Sequence, residues 1–148
     1  MVIWIRNDFE QAGIDEEKLR RRAQRALGAL GCEEEELSIW LCSDEAIREL
    51  HRTYLGADTP TNVMSFAQRE GEYADLEPGV LGDVVVSVDT ARRDAQEGGL
   101  SLDDELSYLL IHGILHLVGY DHEGEQAHRA PEMEAKESEL FELVRREA

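Results

Sequence analysis

The segment LSYLLIHGILHLV, residues 106–118, places apolar side chains at nearly every helical position, in a chain of which 32% of residues are charged. A helix that is apolar along one stripe lies on a core, whereas one that is apolar all round has to be enclosed by other elements. The remainder of the chain must therefore wrap this helix. Ser101 and Asp104 mark its start as a capping pair, the serine oxygen taking up an amide of the first turn. Gly119 marks its end, because glycine tolerates the left-handed backbone that reverses a chain.

The flanking sequence alternates between two hydrophobic periods, the pattern of a mixed α and β domain. VIWIRN (2–7), LSIWLC (37–42), NVMSFA (62–67) and the valine-rich LGDVVVSV (81–88) read as strands. Helices are expected from Asp15 to Gly31, from a cap at Ser43 or Asp44 through Tyr54, from about Asp89 to Gly98, and from Pro131 to Arg146. In the last, Met133, Leu140, Phe141 and Val144 would dock on the core, while its acidic start and basic end suit the helix dipole. Residues 69–80 read as a loop. The expectation is one α+β domain over residues 1–148, with a mixed sheet of about four strands packed with about five helices.

No stretch reaches the roughly 20 apolar residues of a membrane span, and the amino terminus lacks a signal-peptide pattern, so the expected location is cytoplasmic, with no membrane partner. Cys32 and Cys42 are too few and too far apart for a disulfide framework and read as reduced. The formal net charge of −18 excludes a protein that binds nucleic acid through bulk electrostatics, since neutralising phosphates needs basic residues. Those present gather in KLRRRAQR, with Lys18, Arg21, Arg22 and Arg25 on one helix side and Leu19, Ala23, Ala26, Leu27 and Leu30 on the other. That basic side reads as a solvated face, with partner docking or RNA contact as the alternative.

Three of the five histidines lie in HGILHLVGYDH, residues 112–122. His112 and His116, four apart on the enclosed helix, stack on one face, and the turn at Gly119 brings His122 back towards them. Three neutral imidazoles suit one zinc per chain whose fourth position stays open to water, as in a catalytic rather than a structural site. Nickel, copper or iron are also compatible with such a set. His51 and His128 have no such arrangement and read as surface residues.

Gly113 stands where H-E-x-x-H peptidases carry the glutamate that shuttles a proton to the leaving amine. Zinc lowers the pKa of bound water to about 7 and so supplies hydroxide without a protein base. A phosphodiester releases an oxygen leaving group and depends more on charge stabilisation at phosphorus. The glycine therefore tilts the reading from peptide towards phosphodiester hydrolysis. It also costs the helix roughly 1 kcal/mol relative to alanine, for which close packing or substrate approach is a reason.

HGILHLVGYDH, YLGADTPTNVMSF and LGDVVVSV together resemble the YbeY proteins, bacterial rRNA maturation factors that are single-strand-specific, zinc-dependent endoribonucleases. The first segment matches the family's H-G-x-L-H-L-x-G-Y-D-H and the second is similar to its Y-R-G-x-D-x-P-T-[DN]-V-L-S-F. The resemblance implies a zincin-like fold with the metal site on the central helix and the following turn, His112, His116 and His122 as ligands, and a cytoplasmic role in ribosome biogenesis. The implied partners are single-stranded ribosomal RNA and ribosomal subunits or ribosome-associated proteins, without DNA.

The chain departs from the family at Leu55, where the pattern has an arginine assigned to RNA binding or cleavage. It departs again at Ala57 and Thr59, often basic in the family, and at Ala67, usually proline. Arg52, one turn before Leu55, and Arg48, another turn back, could reach the vacated space. The candidate catalytic residues are then Asp121, as a base or an orienting group for a ligand imidazole, Arg52 for phosphate, and Asn62 in the substrate groove beside Thr61 and Ser65. Two alternatives remain open: a non-catalytic ribosome-associated protein braced by zinc, and a zinc metallopeptidase, which needs a carboxylate base not found at the expected position.

Overall fold

The computed structural model describes residues 3–32, 34–67, 80–119 and 130–146. In chain order its elements are β1 (Ile3–Asn7), α1 (Glu16–Ala29), β2 (Glu36–Cys42), α2 (Asp44–Leu55), β3 (Val63–Ala67), β4 (Val80–Ser87), α3 (Val88–Gly98), α4 (Leu102–Leu117) and α5 (Ala130–Arg146), with one 3-10 turn at Glu10–Ala12. The sheet runs β1-β2-β4-β3. β1, β2 and β4 are parallel, and β3 pairs antiparallel with β4 and forms an edge. This is the expected mixed α+β architecture. The segment read as a loop lies outside the described residues, except for Val80, which opens β4.

Strand alternation assigns the two faces. Ile3, Leu37, Ile39, Leu41, Val84 and Val86 point inward and form one core with Leu19 and Leu27 of α1, Leu106, Leu110 and Ile114 of α4, and Met133, Leu140 and Val144 of α5. Ten residues of α4 are buried, as its all-round apolar sequence requires. On the outer face Cys42, Met64 and Val85 form a smaller cluster beneath Ile47 of α2, with Trp40, Leu50 and Phe66 around it. Gly82 lets β4 reach this arrangement. Glu36 pairs with Val80 but Leu37 with Gly82, so Leu81 is an extra residue that drops into the inner core. At φ 151°, a Cβ on Gly82 would stand 2.3 Å from the Phe66 carbonyl oxygen.

Local signals set the helix starts. The side chains of Asp15, Ser43, Ser87 and Ser101 each accept from the amide three residues on, at 3.0–3.2 Å. The pair at Ser101 is capped from one side only. Asp104 donates its amide to Ser101 but turns its carboxylate to Arg22 at 2.8 Å and Arg145 at 3.4 Å.

That contact corrects the reading of α1. Arg22 belongs to the buried side, 5% exposed, with Nη1 donating to Asp104 Oδ1 and, at 2.9 Å, to Ser107 Oγ. Lys18 also faces α4, 3.6 Å from Asp103. Two of the four basic residues thus join α1 to the acidic start of α4, Arg22 through one nitrogen to Asp104 and Lys18 to Asp103, carboxylates that the helix dipole already favours. Cys32 and Cys42 are free and buried, and burial pushes the Cys42 thiol up to about 12. Among the described residues no helix is long and apolar enough to cross a membrane.

Candidate metal centre

The i, i+4 spacing on α4 brings His112 and His116 together with ring centroids 4.7 Å apart and Nε2 atoms 3.1 Å apart. Two nitrogens bound at ordinary length to one tetrahedral zinc would sit about 3.3 Å apart, so the pair has the spacing of shared ligands. His112 Nδ1 hydrogen-bonds to Oε1 of Glu137 on α5. A carboxylate only accepts, so Nδ1 carries the proton and the Nε2 lone pair of His112 is turned towards His116, which is the tautomer a metal ligand needs.

Glu137 is itself held. It is 4% exposed, and its Oε2 accepts from the Tyr108 hydroxyl at 3.1 Å. Burial, with the Glu137 charge beside it, pushes the Tyr108 hydroxyl up to about 12, so it stays a neutral donor. Tyr108 packs edge-on against Phe141 at 5.6 Å, which ties α5 to the histidines. Glu137 and Tyr108 were not singled out in the sequence. Glu137 stands 25 positions after His112 on a helix rich in glutamate, and only the packing of α5 on α4 distinguishes it.

The histidine pair lies on the floor of a cleft of about 560 Å³, whose lining includes Gly113, Ser65, Thr61, Leu55, Tyr54 and His51. Gly113 has a packing reason to be glycine: a Cβ there would stand 2.7 Å from Cγ1 of the buried Val84. A glutamate at this position would have to displace Val84 or move α4 on the sheet. His51, read as a surface residue, lines the cleft instead. Its Nδ1 lies 2.8 Å from the Thr59 carbonyl oxygen, and since a carbonyl only accepts, Nδ1 carries the proton there.

Among the described residues no three His, Cys, Asp or Glu side chains converge as a ligand set. His122 lies outside those residues, as do Tyr120, Asp121 and His128.

The family model for endoribonuclease YbeY matches residues 4–145. The chain belongs to the endoribonuclease YbeY family. A curated YbeY endoribonuclease of Geobacter metallireducens is 48% identical over 147 residues, covering 99% of this chain and 98% of its own. That of Syntrophus aciditrophicus is 46% identical over 144 residues, covering 97% and 90%. The solution structure of TM1509 from Thermotoga maritima superposes with a TM-score of 0.67 at 28% identity, covering 96% of this chain and 88% of that one.

The positions at which this YbeY chain departs from the family pattern can be placed. Leu55 lines the cleft and is 68% exposed. Neither neighbouring arginine is among the cleft-lining residues. Arg52 reaches Glu49 at 2.5 Å, and Arg48 forks onto Asp58 at 2.8 and 3.1 Å. Those carboxylates hold both guanidinium groups above their ordinary pKa. Asn62 lies on the far side of His112, in a shallow depression with Tyr108 and Glu137, and its carbonyl accepts from the Ser87 amide at 2.9 Å.

Proposed function

We propose that this chain is a zinc-dependent endoribonuclease that cuts single-stranded ribosomal RNA during ribosome maturation in the cytoplasm, with one zinc held by His112, His116 and His122. The 3.1 Å approach of two Nε2 atoms, one with its tautomer set by Glu137, carries the reading. Zinc held there would lower the pKa of a bound water to about 7 and would offer positive charge to phosphate oxygens.

The protein groups do the rest. Glu137 and Tyr108 hold the His112 ring so that its lone pair stays on Nε2. Gly113 lets α4 pack closely on Val84 of the sheet, which seats the two histidines at the cleft floor. Ser65 and Thr61 line the same cleft and offer hydroxyls to phosphate oxygens. The Nδ1 contact of His51 leaves its Nε2 as the nitrogen that can exchange a proton with substrate. The turning of Arg48 and Arg52 to carboxylates favours a second reading, in which the chain binds ribosomal partners without cutting.

The test pairs metal analysis with cleavage of a single-stranded ribosomal RNA fragment by wild type and His116→Ala. The expected outcome is zinc in the wild type only, and a fall in cutting of at least roughly 100-fold in the variant. Metal-loaded wild type that binds ribosomal subunits but cuts nothing supports the binding reading. Turnover of peptides that stops with a chelator supports a peptidase.

A further inference from the structure

The outer face of the sheet is only half covered. α2 lies over β3 and β4, and beside it an open groove of about 660 Å³ crosses to β1, lined by Trp4, Arg6, Trp40, Asp83, Tyr54 and Phe66 among others. Tyr54 and Phe66, in edge-on contact at 5.2 Å, line both this groove and the histidine cleft. The exposed large hydrophobic residues among those described are Trp4 at 61%, Tyr54 at 62% and Leu55 at 68%. All three belong to these two depressions. Among the described residues, the large exposed apolar side chains thus lie along one path, from the histidines over the β3 edge to β1.

We infer that the outer-face groove is a stacking platform for the bases of single-stranded RNA flanking the bond held in the cleft. The inference rests on the proposed nuclease reading for its choice of ligand, and on the continuity through Tyr54 and Phe66 for its place. Base stacking on an aromatic face needs no net positive charge, which a chain of charge −18 does not have. Arg6, whose Nε donates to Asp8 at 3.2 Å, lays its guanidinium 4.3 Å from the Trp40 ring centroid, so its charge is shared with Asp8 and it offers the strand a flat face on which a base can stack. Asp8 accepts from the Trp40 indole at 2.8 Å and fixes the plane of that ring. Asp83, on the groove floor, can accept from the amino groups of bases. A duplex keeps its base faces stacked inside and cannot use the platform.

The chain's two tryptophans, Trp4 and Trp40, both line the groove, so indole emission reports on it directly. Zinc-loaded protein is titrated with a single-stranded RNA of about a dozen nucleotides and with the duplex of the same sequence, and cleavage of the same strand is followed in parallel. Saturable quenching by the single strand and not by the duplex is expected. Trp4→Ala, at an exposed position where folding is not at risk, should raise the Kd for the labelled strand about tenfold, with the loss in turnover falling on KM. Cutting without a change in emission, together with an unaltered Kd in Trp4→Ala, overturns the platform and leaves the nuclease reading intact. Quenching without cutting supports the platform and removes the nuclease. Emission that shifts with protein concentration alone, and not with RNA, assigns the face to a second copy of the chain and overturns the inference.

Discussion

The two faces of the sheet are built by different means. The inner face is closed by α1, α3, α4 and α5 around a large apolar core, and α4 alone buries ten residues. The outer face has one helix, α2, which fully buries only Ile47. What fastens α2 is largely polar: Asp44 at its first turn accepts from Ser87 and Thr90 hydroxyls at 2.6 Å and from Arg93 at 2.8 Å, while its amide donates to Asp89. Apolar burial is extensive on one face and small on the other, where hydrogen bonds carry more of the attachment. The candidate site sits at the β3 edge, where the two meet, so the histidines have the large core behind them and the cleft mouth has the sparsely covered face.

Three changes probe this contrast. On the inner face, Gly113→Ala forces a Cβ against Val84. Overpacking of this kind costs about 1–3 kcal/mol, against a gain in helix propensity of roughly 1 kcal/mol. Thermal unfolding should show a net loss of up to about 2 kcal/mol that Val84→Ala in the same chain partly relieves; a more stable single variant would mean that the close approach does not restrict the position.

For α2, the change is Asp44→Asn. Burial alone raises the Asp44 pKa, but the hydrogen bonds from Ser87, Thr90 and Arg93 outweigh it and hold the carboxyl below its ordinary value. A depressed native pKa stabilises the fold above the unfolded pKa, and this contribution is lost as the pH falls through the native value. Asp44→Asn should therefore cost about 1 kcal/mol near neutral pH, with the gap to wild type closing below about pH 4. Denaturant melts across that range check it, and a gap independent of pH would show that the carboxylate charge is not what fastens α2.

The smallest effect is expected at Trp4→Ala, which should change folding stability by less than about 0.5 kcal/mol because the side chain is already exposed. A larger loss in a denaturant melt would make Trp4 a structural residue of β1 and remove the contrast between the faces.

What could be read in advance was whatever a short stretch of chain decides for itself. α4 announced its enclosure by being apolar all round, Ser43 and Ser101 announced helix starts, and the spacing of His112 and His116 placed two imidazoles on one face before any packing was known. A helical glycine between them already implied a close approach, and Val84 supplies it. Contacts between distant segments left no such mark. Arg22 looked like its neighbours in a basic run because its partner Asp104 is 82 positions away. Glu137 could not be told from the other glutamates of α5. His51 read as a surface residue and is partly exposed, but its position at the cleft depends on how α2 lies across the sheet, which no helical period encodes.

Gly82 and Gly113 form a pair of clearances across the seam between sheet and helix. A Cβ at Gly82 would meet Leu117 of α4 at 2.9 Å, and one at Gly113 would meet Val84 of β4 at 2.7 Å. Each element thus gives way where the other is bulky, and the depth at which the imidazoles sit is set by two residues that have nothing to offer but space.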